Sequence, residues 1–344
     1  MATSAPANSP VRTAVNSGAT GVLRQRLPIR PVRGALGHMG VIKVGTSSWA
    51  DRMLLSSGWY PRAASTPAGR LDFYAGRFPL VEVDTSYYAV PVPETTRGWV
   101  DATPEGFTFD VKAFSLFTGH PTPVAALPRD LRPAGGPDRI RRRDLPAATY
   151  DELWDRFRAA LAPIAAADRL GAVLLQFPPW LARGDAAQRR IAELAERCRP
   201  WRVAVELRHG SWFDGTAALD TLAFLRERGL SFVCVDMPQG HPSSVPPILF
   251  ATAQLAVVRF HGHSAAWATG DKQEKFRYAY GDEELRRWSE LLVELAGQAG
   301  ELHALFNNCC GDQAQRDAAR LAELLGVRPV APDGAVRAGA GSPS

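Results

Sequence analysis

Nine residues in this chain carry the chemistry worth explaining: Glu82, Lys112, Glu206, Arg208, Asp236, Arg259, His261, Asn307 and Asn308. Each stands at the end of a short apolar run. Three of the runs place two polar residues two positions apart: Glu82 with Asp84, Glu206 with Arg208, and Arg259 with His261. In an extended strand such residues share one face. Their neighbours Val83, Leu207 and Phe260 are apolar and suit the opposite, helix-covered face. Three acids (Glu82, Glu206, Asp236) would then meet three bases (Lys112, Arg208, Arg259) at one end of a sheet. Burying charge is costly unless it is paired, and ion pairs kept for structure alone gain little over apolar packing. A ligand site is therefore expected. Lys112, Arg208 and Arg259 would hold a carboxylate or phosphate, with arginine gripping it by two parallel hydrogen bonds. Glu82 or Glu206 would act as general base, His261 would move a proton near neutral pH, and Asn307 and Asn308 would orient substrate hydroxyls. Asp236 would join the substrate-binding set.

No metal or cofactor is required by this reading. A divalent ion, Mg or Mn, is the alternative, held by Glu82, Glu206, Asp236 and His261; the interleaved cations weigh against it. The chain has no GxGxxG, no GxxxxGK[ST] and no HExxH.

The elements that must position these residues are eight apolar runs separated by helix-like segments. They are VIKVG from Val41, LVEVD from Leu80, FTFDVK from Phe107, AVLLQF from Ala172, RVAVELR from Arg202, LSFVCVD from Leu230, LAVVRFH from Leu255 and LHALFNN from Leu302. Eight strand–helix repeats predict an α/β fold, a single closed (β/α)8 TIM barrel, whose chemistry sits at the C-terminal strand ends. Thr66-Pro67 reads as a helix start. Helical spacing of apolar residues predicts helices over 150–167, 185–198, 216–228, 282–295 and 312–325. After Asp236 only PPILFATAQ is available, which predicts a short sixth helix. The third interval carries a long insertion, 113–149, with His120, many prolines and the run Arg139-Ile140-Arg141-Arg142-Arg143. It should lie over the barrel mouth.

The 344 residues and 46% hydrophobic content suffice for one large core. The expected division is a disordered basic tail over 1–38, a barrel over 39–328 and a disordered tail over 329–344. The net charge of +5 is local, because residues 1–40 hold five arginines and no acid. That argues against a nucleic-acid footprint on the barrel, and leaves the Arg139–Arg143 loop and the basic tail as the only route to one. Met39 stands directly before the first strand and is a candidate start. No run approaches the roughly 20 apolar residues of a membrane span, and the tail lacks a signal-peptide core. Cys198, Cys234, Cys309 and Cys310 show no CxxC spacing, which fits reduced thiols and a cytoplasmic setting. Nothing here sets the oligomeric state. The partner expected is a small anionic molecule. A non-catalytic sensor of a phosphorylated or nucleotide-like ligand is the competing reading to an acid–base hydrolase, lyase or isomerase.

The order of motifs resembles the YecE-like family, a domain-of-unknown-function family with a TIM-barrel fold. GTSSW (45–49), FYAGRFPLVEVDTSYYAVP (73–91), GFTFDVK (106–112), LLQFPPW (174–180), VELRHGSW (205–212), VRFHG (258–262) and FNN (306–308) carry it. The resemblance spans about residues 41–326. It implies a single barrel with a shared polar pocket that includes Glu82, Lys112, Glu206, Arg208, His209, Arg259, His261, Gly262, Asn307 and Asn308. It implies no established reaction. The chain departs from the family pattern at Asp84, where Asn is expected, at Gly210, where Pro is common, and after Asn308.

Overall fold

The computed structural model describes residues 40–269 and 271–327. The expectations for the two tails and for Met39 fall outside these residues. Eight parallel strands close into one barrel: β1 Val41–Ser47, β2 Leu80–Val83, β3 Thr108–Lys112, β4 Leu170–Gln176, β5 Val203–Glu206, β6 Ser231–Asp236, β7 Leu255–Phe260 and β8 Glu301–Phe306. The ring runs in sequence order and closes between β1 and β8, with Val41 opposite Glu301 and Thr46 opposite Phe306. The fold is the α/β TIM barrel that the eight repeats predict.

Alternation along the strands builds two apolar layers. Val81, Val83, Phe109, Val173, Val205, Phe232, Val258 and Phe306 face the helices and belong to the large core. Leu80, Leu174, Ala204, Val235, Val257 and Leu305 form a second cluster that fills the lumen. Lumen packing is close: a Cβ on Gly45 would come 2.0 Å from the backbone oxygen of Leu80. Only glycine lets β1 and β2 approach this far.

The helices follow the predicted pattern. Thr66 Oγ1 accepts a hydrogen bond from Gly69 N at 3.0 Å, capping Pro67–Ala75. The helices Ala147–Ala166, Asp185–Cys198, Ala217–Glu227 and Asp282–Ala296 bury one face each. Gln313–Leu325 ends at Gly326, which adopts the left-handed conformation (φ 65°) that glycine supplies without strain.

The short sixth helix is not formed; among the described residues no helix stands between β6 and β7. Pro238, Pro242, Pro246 and Pro247 interrupt this segment and remove backbone donors. Ile248, Phe250 and Ala251 cover the barrel in an irregular path. Thr252 pins it, donating to Leu230 O at 2.6 Å and accepting from Phe232 N at 2.8 Å.

The insertion after β3 is folded. Its Phe117 stacks on Trp154 with ring centres 3.9 Å apart, and Thr122–Pro123 pairs antiparallel with Arg139–Ile140. Arg142 lies over the Tyr150 ring and Arg141 faces Trp180. Among the described residues no helix is long and apolar enough to cross a membrane.

Candidate functional site

A charged layer caps the apolar lumen at the C-terminal strand ends. At its centre is Arg259 from β7, fully buried. Its Nε and Nη2 donate to the two oxygens of Glu82 on β2, at 2.7 and 2.6 Å, and its Nη1 donates to Glu206 on β5. One guanidinium thus ties three strands together across the barrel. Glu206 also accepts from Gln176 Nε2 at 2.6 Å and from Arg208 Nη1 at 2.8 Å. Lys112 on β3 pairs with Asp84 at 3.1 Å and sits over the Tyr87 ring.

The electrostatics follow from burial and these partners. Burial drives the Glu206 carboxyl upward, but Arg259, Arg208 and Gln176 outweigh it and hold it well below the usual carboxylate range. Glu82 goes the other way: burial and the nearby Asp84 push it up to about 7 against the pull of Arg259 and Lys112. For Asp84, Lys112 and Arg259 overcome burial and lower it. His261 is held well below its ordinary value by burial and by Arg259 and Arg208, so its imidazole is neutral at pH 7. Its Nδ1 lies 3.0 Å from the Asn307 amide and its Nε2 3.4 Å from Arg208.

Above this floor opens a cavity of about 560 Å³. Of the sequence-predicted residues, Lys112, Arg208, His261 and Asn307 line it. Glu82, Glu206 and Arg259 form the layer beneath, with Arg259 occupied by carboxylates rather than open to a ligand. Asp236 and Asn308 do not join them. They lie on the helix-facing side of the sheet, where Asp236 accepts from Tyr280 OH at 2.6 Å and Asn308 donates to Asp317 at 2.7 Å. The proposed metal set of Glu82, Glu206, Asp236 and His261 is therefore not brought together. His209 bonds Ser211 within its own turn.

Sequence reasoning did not single out several other lining residues, Ser47, Asp51, Arg52 and Lys275; His120, which it placed in the insertion over the mouth, lines the cavity too. His120 reaches the cavity from the insertion that follows β3. Burial and the Lys112 charge lower its imidazole to about 4. Among the described residues of the rim and the floor, five cations (Arg52, Lys112, Arg208, Arg259, Lys275) face four acids (Asp51, Glu82, Asp84, Glu206).

The family profile described as "Protein of unknown function DUF72" matches residues 43–338. The chain belongs to the DUF72 family. The UPF0759 protein YunF of Bacillus subtilis (strain 168) is 31% identical over 297 residues, covering 83% of this chain and 95% of that protein. A DUF72 family crystal structure from Enterococcus faecalis V583 superposes with TM-score 0.70 at 27% identity, over 83% of this chain and 96% of the other. One from Thermotoga maritima MSB8 gives TM-score 0.66 at 28% identity, over 83% and 99%. The DUF72 description assigns no reaction.

Proposed function

We propose that this YecE-like DUF72 barrel is an enzyme that binds a small anionic or sugar-like substrate in the mouth cavity and acts on it by acid–base chemistry. The observation that carries the reading is His261, a neutral imidazole in the wall of a cation-rich cavity, flanked by Arg208 and Asn307. A neutral imidazole offers a lone pair at pH 7. The surrounding arginines and Lys112, which keep it unprotonated at rest, favour negative charge developing on the substrate beside it, and that charge in turn favours the imidazolium. Lys112 and Arg208 hold the anion. Asn307 orients the ring and a substrate hydroxyl.

The buried layer has a supporting part. Glu206, held ionised, is a poor base; it fixes Arg208 and Arg259. Glu82, pushed up to about 7 by burial and Asp84, sets the charge of the floor. Asp236 and Asn308 are assigned no contact with substrate. A divalent metal is not needed at this centre, since its carboxylates already have cationic partners.

The test is to incubate the full chain with a pool of sugar phosphates, nucleotides and small carboxylates and follow depletion by mass spectrometry. One component should be consumed, His261→Gln should stop turnover without loss of fold, and Arg208→Met should raise KM. Tight binding without conversion by the wild type would favour a non-catalytic sensor. Full activity of His261→Gln would reject its assigned role.

A further inference from the structure

Asp236 is one corner of a second group, on the outer side of β6 and β7. Donor atoms of Asp236, His263 and Glu284 all lie within 4.8 Å of one another. His263 Nε2 stands 3.0 Å from both Asp236 oxygens and 3.8 Å from Glu284 Oε1. Two donors bound side by side at about 2.1 Å from one cation sit about 3 Å apart, so these separations suit atoms arranged around a single ion.

Three further observations favour a cation over a plain cluster. First, each carboxylate has one oxygen fixed by a tyrosine and one left toward the centre. Tyr280 OH donates to Asp236 Oδ2 at 2.6 Å, and Tyr278 OH donates to Glu284 Oε2 at 2.9 Å. This is how outer hydrogen bonds orient metal ligands. Second, Glu284 Oε1, the oxygen left over, is shielded from solvent and accepts no hydrogen bond among the described residues. Third, the charges do not balance. Two carboxylates, that of Asp236 almost fully buried, face at most one imidazolium, whereas a divalent ion with neutral His263 would neutralise both. Access is open, because His263 and Glu284 are part-exposed, at 23% and 14% of their side-chain surface.

We propose that Asp236, His263 and Glu284 form a binding site for one divalent first-row transition ion, Mn²⁺ or Zn²⁺, oriented by Tyr280 and Tyr278. Mixed imidazole and carboxylate donors suit that class. The ion would clamp the backbone just after β7, at His263, to the start of helix Asp282–Ala296. His263 follows His261 by two residues, so the clamp would steady the wall of the mouth cavity.

The experiment is calorimetric titration of the metal-stripped full chain with MnCl2 and, separately, ZnCl2, with metal content checked by elemental analysis. One ion per chain is expected, raising Tm. Glu284→Gln, which keeps shape and reaches solvent, should abolish saturable binding, as should His263→Ala. Tyr278→Phe should weaken it about 10–100-fold, which simple loss of a packing contact would not do. Arg208→Met and Cys309→Ser should leave it unchanged, separating this site from the cavity and from the thiols. Absence of saturable binding at 1:1 stoichiometry, or binding that survives Glu284→Gln and His263→Ala together, would overturn the proposal.

Discussion

Replacing Arg259 by Met should be the most damaging single change at the barrel mouth, and its damage should depend on pH in a definite direction. The side chain is fully buried and its guanidinium bonds Glu82 through two nitrogens and Glu206 through a third. Methionine fills much of the volume but leaves two carboxylates in the lumen without their main counter-charge. Removing one partner of a buried pair costs about 3–5 kcal/mol. At about 2–4 °C per kcal/mol for a domain of this order, Tm should fall roughly 6–20 °C at pH 8. The sign with pH follows from the carboxylates. In the wild type Glu206 is held well below its ordinary value, so its contribution is present above the unfolded pKa and is lost as pH falls through the folded one. Without Arg259, burial dominates: the Glu82 carboxyl, already raised in the wild type, rises further, and Glu206, having lost its main counter-charge, rises too. Their cost is then small below the unfolded pKa and grows as pH rises through the folded one. The deficit of Arg259→Met relative to wild type should therefore shrink between pH 8 and pH 5, read by thermal unfolding at each pH. Adding Glu206→Gln should recover part of it at pH 8. A deficit that is independent of pH, or under about 1 kcal/mol, would refute this account of the layer.

Three other outcomes are expected. Arg208→Met removes one of the charges that depress His261, so its imidazole should titrate closer to its ordinary value in NMR; a further fall would contradict the electrostatic reading. At the opposite end of the barrel, His303 is buried between Asp110 and Glu301, at 2.8 and 3.0 Å, and these partners raise it against burial. Its stabilisation should be full below the unfolded value of about 6.5 and fade as pH rises through the higher folded value. His303→Asn should therefore lose most at acid and neutral pH and least in the alkaline range, measured as the Tm difference from wild type; a constant difference would count against it. Gly45→Ala puts a carbon 2.0 Å from a backbone oxygen that cannot swing away. It should cost about 3 kcal/mol or more, and an unchanged urea midpoint would show that β1 and β2 separate more easily than the packing implies.

The barrel was legible because eight apolar runs, each closed by a polar residue, leave few other folds. Parity placed Glu82, Glu206 and Arg259 on one face, since each has a polar partner two residues away and an apolar neighbour between. The same argument was silent for Asp236, which ends a strand apolar on both faces, so Phe232-Val233-Cys234-Val235 carries no alternation to read. Asn307 and Asn308 are adjacent, so only one of them could face inward; the choice fell to Asn307 through His261. The Arg259 bridge joins residues 177 positions apart, and the cluster of Asp236, His263 and Glu284 joins a strand, a loop and a helix. Side chains brought together by tertiary closure alone leave no local spacing signal. The sixth helix failed for a local reason: its prolines were in view, but the apolar run after them was read as helix when it serves as an irregular cover.

The central claim is that the mouth cavity is an anion site. A thermal-shift screen of the full chain tests it most directly, with sugar phosphates, nucleotides and small carboxylates, each with Mg or Mn and with chelator. Ligand at a hundred times Kd stabilises by about 2.7 kcal/mol. The account predicts that one anion class raises Tm, that chelator does not remove the shift, and that Lys112→Met with Arg208→Met abolishes it. No shift with any anion, or a shift indifferent to both substitutions, would contradict it and leave the charged layer as a structural ion-pair network.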